Sequence, residues 1–228
     1  MPVEITWWGH ASWSVDTGSH KIVVDPFFTD NPAAPPESKK LFPDYLLISH
    51  GHYDHMGDAA EIANRCGATI VSNYEITQWF AKKHGLRHTV GMNLGGAVDL
   101  PFGRVKLTLA FHSSELPDGS YGGNPSGFLL TLPTCKIYFA CDTALFGDMQ
   151  LIGKAGLDLA VLPIGDLFTM GPDDALEAVK LLQPKQVIPS HFNTWPPIAQ
   201  DPQTWAARVA KETFARATVL RPGEKIVL

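Results

Sequence analysis

A chain of 228 residues, 45% of them hydrophobic, can bury one large core, so a single domain spanning 1–228 is expected. The formal net charge of −5, with 18 Lys and Arg scattered without a basic run, argues against a nucleic-acid partner while leaving room for a small substrate carrying one phosphate. No apolar run reaches the roughly 18 residues of a membrane span, Met1-Pro2-Val3-Glu4 is not a basic-then-apolar leader, and Cys66, Cys135 and Cys141 form no C-x-x-C pair, so no membrane contact and a cytoplasmic location are expected.

Taken in chain order, short β-like runs come first: Val3–Trp8, Ser12–Asp16, Lys21–Asp25 and, after a Pro-rich loop from Pro26 to Pro43, Tyr45–Ser49. From Gly57 the texture changes. Ala59, Ile62, Ala63 and Cys66 recur at helical spacing, Ala68–Ser72 reads as a strand, and a second helical stretch runs to His84. Val105, Leu107, Leu109 and Phe111 alternate with Lys106, Thr108 and Ala110 as a strand, and a hairpin is predicted from Gly127–Leu132 and Lys136–Asp142. Leu157–Pro163 reads as a buried strand, Pro172 opens a helix to Leu182, and Gln186–Ser190 is a further strand. Asp201-Pro202 starts a last helix to about Ala215, and terminal strands are predicted at Thr218–Leu220 and Lys225–Val227. This rhythm predicts an α/β fold of two sheets packed face to face with helices outside.

After the strand Tyr45–Ser49 comes His50-Gly51-His52-Tyr53-Asp54-His55, three imidazoles and a carboxylate within six residues. Each imidazole needs partners for two ring nitrogens, so three packed together are costly unless a divalent metal shares their lone pairs. In a tight loop, His50 and His52 can face one ion while Asp54 and His55 reach a neighbour. Further ligands should come from other strand ends on the same rim: His112 after Val105–Phe111, Asp142 after Lys136–Cys141, and His191 after Gln186–Ser190.

The motif, its spacing to His112, Asp142 and His191, and the contexts Gly9-His10-Ala11, Asp25-Pro26 and Ser190-His191-Phe192 resemble the metallo-β-lactamase-fold hydrolases, along essentially the whole chain. The likeness is narrower to a prokaryotic branch of metal-dependent hydrolases related to the ascorbate-phosphate lactonases. It implies a metallo-β-lactamase-like four-layer αββα sandwich. It also implies that His50, His52 and His112 bind a first metal, that Asp54, His55 and His191 bind a second, that Asp142 bridges them, and that homo-oligomers are common among relatives. The commonest metal-dependent β-lactamases carry a Cys where Asp142 falls, so antibiotic hydrolysis is not expected. Diiron relatives carry a Glu where His52 stands, which argues against redox chemistry. Cys141 neighbours Asp142, and strand alternation would turn it into the core.

Two divalent ions, Zn first and Mn, Fe, Ni or Co also suited to His and Asp, would lower the pKa of a shared water. A bridging hydroxide would then attack a small-molecule ester, lactone or phosphodiester, with the catalytic Asp54 both ligand and acceptor of the nucleophile's proton. Asp25 either accepts a hydrogen bond from a metal-bound His or only forms a turn before Pro26. His10 lines the site or is a structural His, and Asp166, Phe168, Asn193 and Trp195 come near the ligands to give a partly apolar pocket. The segment Ser113–Ser126 reads as a mobile lid or as plain connection. The competing readings are a non-catalytic metal-binding or sensing module, a nuclease of the same fold, and a scaffolding oligomer that would leave the metal motif unexplained.

Overall fold

The protein is described by a computed structural model covering residues 2–228. The first half runs β1 (Glu4–Trp7), β2 (Trp13–Asp16), β3 (Lys21–Val24), a 3-10 turn at Pro36–Lys40, β4 (Tyr45–Leu47), α1 (Tyr53–Met56), α2 (Ala59–Cys66), β5 (Thr69–Asn73), α3 (Tyr74–His84) and β6 (Thr89–Met92). The second runs β7 (Ala97–Leu100), β8 (Gly103–Leu109), β9 (Ser126–Thr131), β10 (Lys136–Phe139), α4 (Met149–Gly153), β11 (Leu159–Pro163), α5 (Pro172–Leu182), β12 (Gln186–Ser190), α6 (Pro202–Glu212), β13 (Arg216–Ala217) and β14 (Lys225–Val227).

The strands form two seven-stranded sheets, in the orders β14-β1-β2-β3-β4-β5-β6 and β13-β12-β11-β10-β9-β8-β7. Both are mixed. β3 to β6 are parallel neighbours, as are β10 to β13, and the rest pair antiparallel. The central strands are apolar on both faces because each face is covered. Val24, Leu47 and Val71 enter the inter-sheet core with Leu107, Phe128, Leu130, Ile137 and Phe139, while Val23, Leu46 and Ile70 face outward into a second cluster with Ile62, Ala63, Ile76 and Phe80 of α2 and α3. On the other sheet Ala175, Leu176 and Val179 of α5 and Trp205 of α6 close the outer layer. The result is the helix-sheet-sheet-helix layering of an α/β sandwich.

Several predicted boundaries shift. β6 and β7 were not predicted: both are sheet-edge strands whose side chains are half-exposed, so they lack a clean alternation. β8 stops at Leu109, and Leu109 and Phe111 are exposed rather than continuing the inward stripe of Val105 and Leu107. The last helix ends at Glu212, and the strand predicted at Thr218–Leu220 lies at Arg216–Ala217.

Topology brings the chemistry to one rim. β1 and β3 run in the same direction, as do β8 and β10, and the parallel pairing aligns β3 with β4 and β10 with β11 and β12. Their carboxyl ends lead directly into His10, Asp25, His50, His112, Asp142 and His191. The adjoining loop 26–31 is pinned to the start of α2 by Asp58, whose Oδ2 accepts the Phe28 and Thr29 amides at 2.6 and 3.1 Å. Removing that buried carboxylate strands both donors, so Asp58→Ala is expected to cost about 2 kcal/mol and lower the melting temperature by several degrees in a thermal melt.

Candidate metal centre

The site is built outward from Asp25. It follows β3 with a left-handed backbone (φ 48°), a strained conformation for a non-glycine residue, and its carboxylate is fully buried. It accepts three hydrogen bonds: from the Ser49 amide at 2.8 Å, the Ser49 hydroxyl at 2.6 Å and His55 Nδ1 at 2.8 Å. Since the Ser49 hydroxyl donates to Asp25, its oxygen accepts from His50 Nδ1 at 2.9 Å. One carboxylate thus engages the Nδ1 side of His50 and His55 and directs the Nε2 of both to the rim.

Three overlapping groups of donor atoms converge there, the atoms of each lying within 4.8 Å of one another: His50, His52 and His112; His50, His55 and Asp142; and His10, Asp54, His55 and His191. Asp142 sits at the centre, its Oδ2 3.1 Å from His191 Nε2, 3.3 Å from His55 Nε2 and 3.7 Å from His112 Nε2. His50 Nε2 lies 2.9 Å from His52 Nδ1. The converging atoms do not satisfy one another. His55 Nε2, Asp142 Oδ1 and both ring nitrogens of His191 are buried without a hydrogen-bond partner among the described residues, a deficit of about 1–3 kcal/mol for each. Imidazole and carboxylate donors left open inward in this way fit a divalent metal.

The electrostatics agree. Burial disfavours charge on His55, yet Asp142, Asp54 and Asp25 around it hold its pKa well above the ordinary histidine value, the mark of a pocket that favours a cation. Burial also opposes the charge on Asp142, but His191 and His55 hold its carboxyl well below the usual range. Asp54, against the cost of its own burial, is kept ionised by His55 and by the hydrogen bond from His10. The short loop expected around Asp54 and His55 is a single helical turn, α1, with His52 at its N-cap.

The β-lactamase superfamily domain model matches residues 20–192. The chain is 47% identical to a UPF0173 metal-dependent hydrolase of Thermus thermophilus over 226 residues, 99% of each chain. A relative of the same description from Pelotomaculum thermopropionicum is also 47% identical, over 99% of this chain and all of that one. The chain belongs to the beta-lactamase superfamily, as a UPF0173 metal-dependent hydrolase. Igni18, a metallo hydrolase of the hyperthermophilic archaeon Ignicoccus hospitalis, superposes with a TM-score of 0.90 at 36% identity, over 100% of this chain and 99% of that one. An isothiocyanate hydrolase from Delia radicum gut bacteria shares the fold at 18% identity, with a TM-score of 0.77 over 99% and 98% of the two chains.

In this UPF0173 hydrolase His10 does line the site, among the donors of Asp54, His55 and His191. His10 is fully buried with a left-handed backbone; its Nε2 donates to Asp54 Oδ2 at 3.0 Å, which leaves Nδ1 to accept the Thr194 hydroxyl at 2.8 Å. Burial, then the neighbouring His191, lowers its pKa to about 4, so the ring is neutral at physiological pH. Thr194 was not singled out from the sequence, since a loop threonine carries no distinguishing signal. Its neighbour Asn193 is exposed and spends its Oδ1 on the Gln200 amide at 2.7 Å, holding its own loop. Thr194→Val is therefore expected to lower kcat about tenfold in metal-saturated protein, with Thr194→Ser restoring it.

Cys141 packs against the core as expected, though strand alternation is not what turns it there. β10 ends at Phe139, and Cys141 takes a left-handed turn (φ 53°) that brings its thiol near Asp25 and Ser49. Burial first, and then Asp25 and Asp142, push that thiol well above its ordinary pKa, so it stays protonated, and it is outside the converging groups.

The segment Ser113–Ser126 is tied down along its length. The Ser114 hydroxyl accepts the Gly51 amide at 3.0 Å, Asn73 Nδ2 donates to the Gly122 and Asn124 carbonyls, and Asp118 Oδ2 takes Trp79 Nε1 at 3.0 Å and Lys83 at 2.9 Å. Gly51 is required by this contact, because a Cβ there would meet the Glu115 carbonyl oxygen at 2.9 Å.

Proposed function

We propose that this metal-dependent hydrolase works with two divalent ions, Zn foremost, to cleave a small ester, lactone or phosphodiester in the cytoplasm. The observation that carries this reading is the chaining of the three donor groups through His50 and His55, with Asp142 in the linking group and inward-facing donor atoms that nothing among the described residues satisfies. His50, His52 and His112 would hold one ion, Asp54, His55 and His191 the other, and Asp142 would touch both. When bound, the ions supply Lewis acidity and a water of lowered pKa.

The chain's own groups do the rest. Asp54 is ionised and accepts the attacking water's proton at its carboxylate. His10, neutral and fixed by Thr194, donates to Asp54 Oδ2 and so aims the other carboxylate oxygen; it is a positioning residue. Asp25 keeps the Nε2 atoms of His50 and His55 facing inward. Cys66, Cys135 and Cys141 are all free, which suits a reducing compartment.

The test is turnover of a phosphodiester, a lactone, a thioester and a β-lactam by metal-saturated protein. Hydrolysis of the phosphodiester or the lactone supports the reading. Bound metal with no turnover of either would sink it.

A further inference from the structure

The loop after β11 is shaped in an unusual way. Asp166 and Leu167 are consecutive non-glycine residues with left-handed backbones (φ 61° and 45°), a combination that costs about 1–2 kcal/mol for each residue. The loop is nonetheless firmly set. Ile164 and Met170 are buried, and the Asp166 amide donates to the Met170 carbonyl at 3.1 Å, as does the Thr169 amide to the Asp166 carbonyl. The product of this strain is that Leu167 and Phe168 stand out in solvent, 65% and 59% exposed.

Its frame is the metal centre. Thr143, next to Asp142, accepts the Met170 amide at its carbonyl and the Phe111 amide at its hydroxyl, both at 3.0 Å, so it joins the Leu167–Phe168 loop to the loop carrying Phe111 and His112. Gly165 packs against the His191 carbonyl, where an added Cβ would come within 2.2 Å, and its own carbonyl accepts from Gln200 in the loop of Trp195. Trp195 stands edge-on to His10, with ring centroids 4.9 Å apart. Phe111, Leu167, Phe168 and Trp195, all exposed, are therefore carried on loops braced against those of the ligands, with Phe111 also edge-on to Phe146 at 5.4 Å.

Charge sharpens the reading. The segments 8–12, 25–31, 50–58, 111–126, 142–148, 164–171 and 191–201 that make this rim contain no lysine or arginine, and beyond the ligands they carry eight further carboxylates, Asp30, Glu115 and Asp166 among them. Lys83, which reaches the far end of the 113–126 segment, is paired with Asp118. A phosphoryl group would find neither a guanidinium nor an ammonium here.

Resting on the hydrolytic function proposed above, we propose that Leu167, Phe168, Phe111 and Trp195 form a receptor for an uncharged apolar group, so that the substrate is a neutral ester or lactone bearing an alkyl or aryl chain and not a phosphate ester. Water adds at the carbonyl carbon, the acyl C–O bond breaks, and the proton taken up at Asp54 passes to the departing alkoxide, giving acid and alcohol with no other reactant.

The test reads binding to metal-loaded protein by calorimetry, using acetohydroxamate and octanohydroxamate as neutral metal-chelating probes that differ only in alkyl length, with phenylphosphonate as an anionic rival. Octanohydroxamate is expected to bind about 30-fold tighter than acetohydroxamate, below the roughly fourfold per methylene of full burial because the rim is open. In L167S/F168S that ratio should fall to about threefold, while L167M/F168M, apolar and folded alike, should keep it. A wild-type ratio near one, an unchanged ratio in the serine variant, a lost ratio in the methionine variant, or tighter binding of phenylphosphonate would overturn the proposal. So would a serine variant that changes only its sedimenting mass, which would assign the patch to contact between copies. Ester turnover by the wild type tests the hydrolytic reading separately.

Discussion

Asp54→Asn should lower kcat/KM by about three orders of magnitude, measured on any turned-over substrate at saturating metal, with its fold and melting temperature close to those of the wild type. General-base removal accounts for about 10²–10⁴-fold on its own. Asparagine keeps the shape and can still take the hydrogen bond from His10 through its carbonyl, but it cannot accept a proton and is a poorer ligand beside His55 and His191. Because Asp54 is partly exposed at the rim while His55 and Asp142 are buried, the loss should appear mainly in kcat and less in stability. A variant retaining a tenth or more of wild-type activity would show that the nucleophile's proton goes elsewhere.

Chelation should act on activity and stability together. Stripping the ions is expected to abolish turnover and to lower the melting temperature by roughly 10 °C, as for loss of a ligand present at about a thousand times its Kd in a chain of this size. The structural reason is the set of unpartnered buried atoms at His55, Asp142 and His191, which an ion satisfies and which otherwise confront one another. Adding back a divalent ion should restore both quantities in differential scanning calorimetry and activity assays. A melting temperature indifferent to chelator would mean that the cluster is satisfied without metal.

The convergence of these donors on one rim was legible in the sequence because its signals are chemical: three histidines and an aspartate within six residues, and single His or Asp residues just after strongly apolar strands. The two-sheet architecture followed from the rhythm of β-rich and then alternating β/α stretches; in the structure, runs such as Leu46–Leu47 and Ile70–Val71 are apolar at consecutive positions because both faces of the strand are covered. What escaped was conformational. Left-handed backbones at His10, Asp25, Cys141, Asp166, Leu167 and His191 have no glycine to announce them, and they decide where those side chains point. They turn Cys141 against the core where no strand alternation would, and they give the Leu167–Phe168 loop its outward display. Asp25 could be read as a turn former or an acceptor; in the structure it does both, ending β3 while holding Ser49 and His55. Thr194 and Asp58 were invisible for a simpler reason: one hydroxyl and one carboxylate in polar surroundings become informative only when their partners, 184 and 30 residues away, are known.

Counting the ions bound per chain by native mass spectrometry, in wild type, His112→Ala and His191→Ala, tests the two-ion centre most directly. Two ions in the wild type and one in each variant are expected, since each substitution removes a ligand from a different group. A single ion in saturated wild type, or two ions persisting in both variants, would contradict it.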